Sequence, residues 1–567
     1  MKKLVTFFLT LAMVLSLAAC GGSASGSADA SSTAGTAAET NEVVAAAAAQ
    51  SVDVSALYPD AVTVELSDSG ITTDDDSITV TNDIVYYEAG HDFTYGEGTE
   101  ADEHTAEEAA AHTVVTITRP GTYVLSGSLS AGQIAVDLGD DAEEDPAAVV
   151  TLVLNGVDIS CTVAPAVIFY NVYECGSKDI DDAAQDVDTS AAGANVVLPD
   201  GSVNNVSGSY VARIYKSYEL SDDGTEVVDS KKLHKYDAAF YSKMSMNMDG
   251  GEQSSGVLNI IAENEGLDSE LHLTINGGLI NIHSGNDGIN TNEDEISVTT
   301  INGGTVNIVC SGSTGEGDGI DSNGWLVING GRVYAQACAT SGDAGIDSEL
   351  GIYLNGGTVM ASGNMLDPIA GGRATYMVLQ TSQPVNQQTV TLKNADGAAV
   401  MAYSNTNAYQ YLILSADVLT AGDYTLWADE TQLGYGSTAA GMGMGGRGQK
   451  GELPEGVGDF DPASMGGRER PEGMEDMQGS GFGGGQRPDG QSGELPDGMK
   501  EFDPAAMEKP DGMELPDGAE ATGGRGGMNG RFGGMSAAAE NGIFTLVTGG
   551  NLFSGVGEYT PAEATEE

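Results

Sequence analysis

Four stretches of the chain share one pattern: LTINGGLINIHS at 273–284, TTINGGTVNIVC at 299–310, LVINGGRVYAQA at 326–337 and IYLNGGTVMASG at 352–363. Aligned on Asn-Gly-Gly, their asparagines are Asn276, Asn302, Asn329 and Asn355, which stand 26, 27 and 26 residues apart. A constant period of this size indicates a repeat architecture, in which each repeat buries its apolar face against its neighbours.

The residues around each Asn-Gly-Gly alternate in character. Apolar residues stand one position before the asparagine and four and six positions after it, whereas the positions between them are mostly polar. This alternation predicts strands with one buried face, and the matching columns predict that like residues stack from repeat to repeat. Asn-Gly-Gly is predicted to form a corner, because glycine tolerates unusual φ values and the asparagines can hydrogen-bond in a column. The predicted fold class is therefore all-β: a parallel β-helix solenoid followed by a small antiparallel β unit, with disordered linkers.

Composition divides the rest of the chain. Strand-like alternation begins near residue 60, whereas 21–56 and 437–537 are low-complexity segments that offer no material for a packed core. The predicted organisation is a signal peptide at 1–20, a flexible tether at 21–56, the β-helix at 57–370 with an irregular insertion at 176–236, a small β unit at 371–436, a Gly/Met/Pro-rich disordered segment at 437–537, and terminal strands and a tail at 538–567.

The N-terminus carries an export signal. Lys2 and Lys3 precede an apolar run that ends in Leu17-Ala18-Ala19-Cys20. This ending resembles the bacterial lipobox, and the resemblance implies that Cys20 becomes the lipid-bearing first residue of the mature protein. We therefore expect an extracytoplasmic protein that is lipid-anchored to the outer face of the cell membrane.

Charge limits the partners of the chain. With 84 acidic and 22 basic residues its net charge is -62, so nucleic-acid binding is excluded because phosphates would be repelled. Contact with the membrane is expected through the lipid anchor only. We expect the protein to act as a monomer.

A second repeated motif brings acidic residues together. It reads acidic-Gly-apolar-Asp/Asn at 265–268, 287–290 and 318–321, and recurs with one extra residue at 343–347. Stacked one strand spacing apart, at roughly 5 Å, such carboxylates repel each other and require neutralisation. Ca²⁺ prefers oxygen ligands of this kind; the alternative is an Asp-Gly turn that the corner requires without any metal. The predicted calcium ligands are Glu265, Asp268, Asp287, Asn290, Asp318, Asp321, Asp343 and Asp347.

Together these motifs support a family resemblance. GTYVLSG at 121–127 and VTLVLNGVDI at 150–159, followed by the repeats, resemble the calcium-binding β-helix carbohydrate-binding family of bacterial surface proteins. Members of that family are similar in shape to pectate lyases, and the resemblance implies binding of acidic or cellulosic polysaccharide with structural Ca²⁺. Exposed aromatic rings can stack on sugars. The predicted carbohydrate contacts are Trp325, Tyr334, Tyr353 and Arg332, although the aromatic rings could instead cap the core.

Two other functions and the state of the cysteines stay open from the sequence. A pectate-lyase-like enzyme would need a base, for which Arg332 is the candidate, and a non-catalytic adhesin or stalk would need no ligand. We predict no catalytic residue. Cys161, Cys175, Cys310 and Cys338 could pair in three ways, with neighbours in sequence favoured, or remain free thiols.

Overall fold

A computed structural model describes residues 39–40, 47–73, 75–440 and 541–560. The signal peptide with Cys20, most of the tether, residues 441–537 of the predicted disordered segment and the last seven residues lie outside this range. The described chain is all-β, as predicted. Its one α-helix, Ala106–Ala110, begins at Thr105, whose side chain accepts a hydrogen bond from the Glu108 N–H. Short 3₁₀ turns occupy Ala142–Glu144 and Ile180–Asp182. No helix within these ranges is long and apolar enough to cross a membrane.

Most strands belong to three ladders, and the first ladder contains the residues that precede each Asn-Gly-Gly corner. All its neighbours pair in parallel, and each repeat adds one strand in register, so that Ile275 lies opposite Ile301 and Ile301 opposite Ile328. Its strands are Val62–Leu66, Gly121–Leu129, Val150–Ser160, Ala194–Leu198, Met246–Gly250, Leu273–Ile275, Val298–Ile301, Trp325–Ile328, Gly351–Leu354 and Ile369–Gly372.

The second ladder follows the corners and is also parallel within the repeats. It starts from the C-terminal half of Val150–Ser160, which pairs with Val203–Gly208. The second glycine of each corner has a positive φ, for example +76° at Gly304, where an added Cβ would lie 2.6 Å from the Gly278 carbonyl oxygen. The ladder continues through Val257–Ala262, Leu279–Ser284, Thr305–Cys310, Arg332–Gln336 and Thr358–Gly363.

The third ladder contains the acidic motifs. It begins with one antiparallel pair, Ile78–Thr81 with Thr113–Ile117, and is parallel from there on. From Met246 to Gln336, strands visit the first, second and third ladders in turn. The remaining strands of the third ladder are Gly132–Asp137, Val167–Asn171, Ala238–Ser242, Glu265–Ser269, Ile289–Thr291 and Ile320–Ser322.

The C-terminal unit is largely antiparallel and continues the second ladder. Tyr409–Ser415 pairs antiparallel with both Thr358–Gly363 and Tyr376–Val385, and the late strand Gly550–Glu558 adds to Tyr376–Val385 in parallel. Further strands are Thr389–Asn394, Ala399–Ser404, Gly422–Ala428, Thr431–Gly434, Ser437–Ala440 and Phe544–Leu546, and Glu39–Thr40 pairs with Ala399–Ser404.

The predicted insertion at 176–236 is interrupted by ladder strands. Ala194–Leu198 belongs to the first ladder and Val203–Gly208 to the second. Only the flanking parts leave the ladders, and the later part contains an antiparallel hairpin of Tyr215–Leu220 and Val227–Lys232. The alternation in 194–208 is short and rich in asparagine, which hid these strands from the sequence pattern.

The apolar columns face the core as the repeats require. Ile280, Val306, Val333 and Val359 are all fully buried, and so are Leu267, Ile289 and Ile320 of the third ladder. A separate apolar cluster lies under the C-terminal unit. Each of the four cysteines described is a free thiol, so neither of the favoured pairings is formed.

Two adjacent isoleucines test this register. Ile260 of the second ladder is 1% exposed and Ile261 is 57% exposed. Ile260→Ala should lower the free energy of unfolding by about 2–5 kcal/mol, because it leaves a cavity, whereas Ile261→Ala should change it by less than about 0.5 kcal/mol. Urea unfolding of both variants measures this, and a larger loss for Ile261→Ala than for Ile260→Ala would mean that the register is displaced by one residue.

Candidate functional site

The eight predicted calcium ligands, named here the acidic array, lie along one side of the third ladder. Register places Asp268 beside Asn290 and Asn290 beside Asp321. The Asp347 N–H donates to the Ile320 carbonyl oxygen at 2.7 Å, which puts Asp347 next in the row. The neighbouring residues in each strand, such as Ile289, are buried in the core, so the row points outward.

The first acidic residue of each motif has a structural role at the corner. The Asp318 N–H donates to Asp287 Oδ1 at 2.7 Å, the Ala344 N–H donates to Asp318 Oδ1 at 2.5 Å, and the Gly317 N–H donates to Asp343 Oδ2 at 2.7 Å. These bonds link one repeat to the next and need no metal. In Asp287 and Asp318 they engage only one carboxylate oxygen, which leaves the second oxygen for another partner.

Burial raises the pKa of six carboxyl groups of the acidic array, and neighbouring carboxylates add to the shift; the six are Glu265, Asp268, Asp287, Asp318, Asp321 and Asp347. The pKa of Glu265 is raised to about 8, mainly by burial and secondly by the charge of Asp237. The pKa of Asp321 is raised to about 7, mainly by burial and secondly by the charge of Asp347. The pKa values of Asp268, Asp287 and Asp318 also lie well above the ordinary range for the same two reasons. The ionised array is therefore unfavourable unless positive charge reaches it.

Two buried oxygen atoms in the array have no hydrogen-bond donor among the described residues: Glu265 Oε2 and Asn290 Oδ1. Glu265 is 6% exposed and Asn290 7% exposed. The two side chains meet, because Asn290 Nδ2 donates to Glu265 Oε1 at 3.2 Å. An unpaired buried acceptor costs about 1–3 kcal/mol, so these lone pairs suit a cation. Within the described ranges, however, no three His, Cys, Asp or Glu side chains converge into a ready-made metal site.

Further polar residues extend the array beyond the sequence prediction. Two positions after the Asp/Asn row come Glu270, Asn292, Asn323 and Glu349. Asn292 Nδ2 donates to both carboxylate oxygens of Asp268 at 2.8 Å. At the far end, burial and then Asp347 raise the pKa of Asp367 to about 8, and its Oδ2 is buried without a partner among the described residues. The repeated Asp/Asn-Ser/Thr-Asn/Glu extension of the motif was the available signal for this row.

The predicted carbohydrate contacts separate into two pairs. Trp325 and Tyr353 lie on the outward face of the first ladder, on diagonal positions of adjacent strands, since Trp325 is opposite Gly351 and Tyr353 is opposite Val327. Both rings are half-buried, and the Tyr353 ring lies against the backbone of Gly371. This arrangement leaves part of each ring accessible on one shared face.

Tyr334 and Arg332 lie on the second ladder, away from that face. Tyr334 is only 6% exposed, because it packs with Met360 in the cluster under the C-terminal unit; for this ring, burial favours the alternative in which it caps the core. The pattern placed it outward correctly but could not reveal what covers it. Arg332 forms an ion pair with Glu39 at 3.2 Å.

A groove of about 680 Å³ runs over the outward face of the first ladder. Residues 185–190 form its wall. Thr189 Oγ1 in this wall donates a hydrogen bond to Asn247 Oδ1 at 2.7 Å. The floor contains successive rows of polar side chains from neighbouring repeats. The floor residues include Asn247, Thr274, Thr300, Asn276, Asn302 and Asn329.

The asparagine column of the corners borders this groove as a chain of hydrogen bonds. Asn302 Nδ2 donates to Asn276 Oδ1, Asn329 to Asn302 and Asn355 to Asn329, each at 2.9 Å. An amide has two N–H donors and two oxygen lone pairs. Each internal member of the column therefore keeps one donor and one acceptor for a ligand, and this pair repeats at every strand.

A second groove, of about 390 Å³, lies over the second ladder and is more apolar. Its lining includes Ile261, His283 and Val309, beside another asparagine column in which Asn307 Nδ2 donates to Asn281 Oδ1 at 2.7 Å. Tyr334 is the one Phe, Tyr or Trp among the described lining residues of this groove, and it is buried.

This polar and aromatic face is that of a binding module rather than a nucleic-acid-binding protein. A family model described as carbohydrate-binding domain-containing protein matches residues 111–406, which is more than half of the chain, so the chain belongs to that family. Among solved structures, a polysaccharide lyase-like protein from C. thermocellum, in a gadolinium derivative, is 19% identical with a TM-score of 0.32, over 55% of this chain and 91% of that one. No curated protein matches the chain.

The raised pKa values predict how metal-free protein responds to pH. Glu265 and Asp321 rise from ordinary values of 4.5 and 3.8 to about 8 and about 7, so the folded state holds protons that the unfolded state releases. In chelator, stability should be greatest below those ordinary values and should fall as the pH rises through about 7 to 8.

Thermal unfolding in chelator at stepped pH measures this fall, and Asp321→Asn should make it shallower because one repelling charge is gone. A Tm that rises with pH across the same window would contradict the raised pKa values.

Proposed function

We propose that this protein is a cell-surface lipoprotein, anchored to the outer face of the cell membrane through Cys20, that binds polysaccharide through a calcium-stabilised parallel β-helix. The three ladders would be the faces of the helix, with one turn for each repeat. The observation that carries the binding function is the groove on the first ladder, which a hydrogen-bonded asparagine column lines. Two half-buried aromatic rings, Trp325 and Tyr353, lie on the same outward face of this ladder.

The chemistry of this groove suits sugar hydroxyl groups. A hydroxyl both donates and accepts, and each internal asparagine offers one free donor and one free acceptor. The rings of Trp325 and Tyr353 offer apolar faces on which the C–H surface of a sugar ring can stack. Because the polar pair recurs at each strand, the groove fits an extended polymer better than a single sugar.

Charge favours a neutral polysaccharide over an acidic one. Asp186, Asp188 and Asp249 line the groove, and no lysine or arginine is among its described lining residues. Arg332, the cation at the neighbouring corner, is paired with Glu39. A uronate carboxylate would therefore meet like charge, unless a bound cation bridged it.

Ca²⁺ is proposed for the acidic array. Glu265, Asp268, Asp287, Asn290, Asp318, Asp321, Asp343 and Asp347 would hold it, and the unpartnered oxygens of Glu265 and Asn290 support this fit. The ion would supply the positive charge that the array lacks.

A lyase is the alternative enzyme. Its base candidate, Arg332, lies on the second ladder in an ion pair with Glu39, and an arginine is not readily deprotonated. The acidic array lies on a different ladder from Arg332. These contacts favour binding without catalysis.

The two tryptophans of the chain test the binding site. Trp325→Ala should weaken binding to a soluble neutral glucan about tenfold, because a stacking interaction worth roughly 1.4 kcal/mol is lost. Trp427→Ala, in the C-terminal unit, should leave binding unchanged. Affinity electrophoresis with β-glucan and with polygalacturonate measures both, and absorbance of unsaturated product reports lyase activity in the same samples. Equal effects of the two substitutions, or product formation, would contradict the proposal.

Paired substitutions test the calcium site. Asp318→Asn with Asp321→Asn should remove about 2–3 kcal/mol of stabilisation at a calcium concentration near 100 times Kd. In chelator the same variant should be at least as stable as the wild type, because repulsion within the array is reduced. Asp60→Asn, on an exposed loop, is the matched control. Equal losses in calcium and in chelator would rule out a metal role for these two residues.

A further inference from the structure

The only basic side chains that reach the acidic array within the described ranges come from the insertion, at the first repeat. Arg213 Nη2 lies 2.9 Å from Asp237 Oδ2, and Lys235 Nζ lies 3.8 Å from Glu270 Oε2. Tyr241 Oη also donates to Glu270. Arg213 faces Glu265 as well, so both cations lie at one end of the array.

No lysine or arginine in the described part of the chain pairs with the other end of the array. Between residues 244 and 372 the sequence contains one lysine or arginine, Arg332, and it pairs with Glu39 on the second ladder. The same stretch contains many carboxylates, and each carboxylate at the far end of the array is repelled by neighbouring carboxylates. These carboxylates are Asp318, Asp321, Asp347, Glu349 and Asp367.

The unpartnered oxygens mark the boundary between the two ends. Glu265 Oε2 and Asn290 Oδ1 lie between the first and second repeats, and neither atom accepts a hydrogen bond from Arg213 or Lys235. Asp237 and Glu270 are already neutralised there, whereas these two atoms are buried and open to a ligand.

We infer that Arg213 and Lys235 are built-in counter-cations that close the acidic array at its first repeat, so that external divalent cations are needed only from Glu265 and Asn290 onward. This inference rests on the proposed calcium binding. A cation tethered to the chain neutralises its partner at any calcium concentration, whereas a bound ion depends on mass action. The first repeat and the insertion would therefore stay folded in low calcium, while the later repeats loosen.

The direct test removes one built-in cation at a time. In Lys235→Gln and in Arg213→Gln, the gap in Tm between saturating calcium and chelator should widen relative to wild type. At least one additional calcium ion should bind per chain, as counted by elemental analysis after dialysis. The reason is that Glu270 or Asp237, left without its partner, becomes a further ligand. Lys178→Gln, which breaks the exposed Lys178–Glu143 pair at 2.5 Å, is the matched control and should leave the gap unchanged.

A charge-balanced variant separates this role from simple packing. Lys235→Gln with Glu270→Gln removes both charges, so its gap should return to the wild-type value. A loss of Tm that is equal in calcium and in chelator for Lys235→Gln and Arg213→Gln would overturn the inference, as would a widened gap in the balanced variant. If the wild type itself showed no calcium-dependent Tm, the proposed calcium binding would fail instead, so the two failures are distinguishable.

Discussion

Strands of successive repeats pair in parallel, so each side chain lies against the side chain at the equivalent position of the next repeat. Ile280 meets Val306, Asn276 meets Asn302, and Asp268 meets Asn290 and then Asp321. The consequences depend on the chemistry of the column. Apolar columns gain burial, amide columns gain hydrogen bonds because each amide both donates and accepts, and carboxylate columns are destabilised unless a cation enters. The apolar columns face the core, amide columns lie on the outward faces of the first and second ladders, and the carboxylates lie on the third.

The different properties of the first and third ladders follow from this stacking of equivalent side chains. On the first ladder, amide and threonine rows line a groove, and the asparagine column keeps donors and acceptors free for a ligand. The rings of Trp325 and Tyr353 lie on the same outward face. On the third ladder, the carboxylate rows create a local need for positive charge. Among the lysines and arginines that the structure describes, Arg213 and Lys235 meet this need, and they do so at the first repeat. Binding and stability are therefore expected to depend on different ladders, which makes them separable by substitution.

The repeating parts of the fold and site could be predicted from sequence, and the parts set by chain segments outside the repeat could not. Period and alternation were enough for the all-β class, the buried columns, the glycine corners and the adjacency of Asp268, Asn290 and Asp321. They could not reveal that the C-terminal unit buries Tyr334, that residues 185–190 wall the groove, or that 194–208 pairs within the ladders. These features depend on long-range contacts of single segments, and no periodic signal reports them.

The claim that carbohydrate binds along the first ladder is tested most directly by hydrogen–deuterium exchange, comparing the protein alone with the protein saturated by a neutral β-glucan oligosaccharide. The account predicts slower exchange in peptides that cover 185–190, 325–329 and 351–355, and unchanged exchange in peptides that cover 257–262 of the second ladder. Protection confined to the second ladder, where the apolar groove lies, would contradict it.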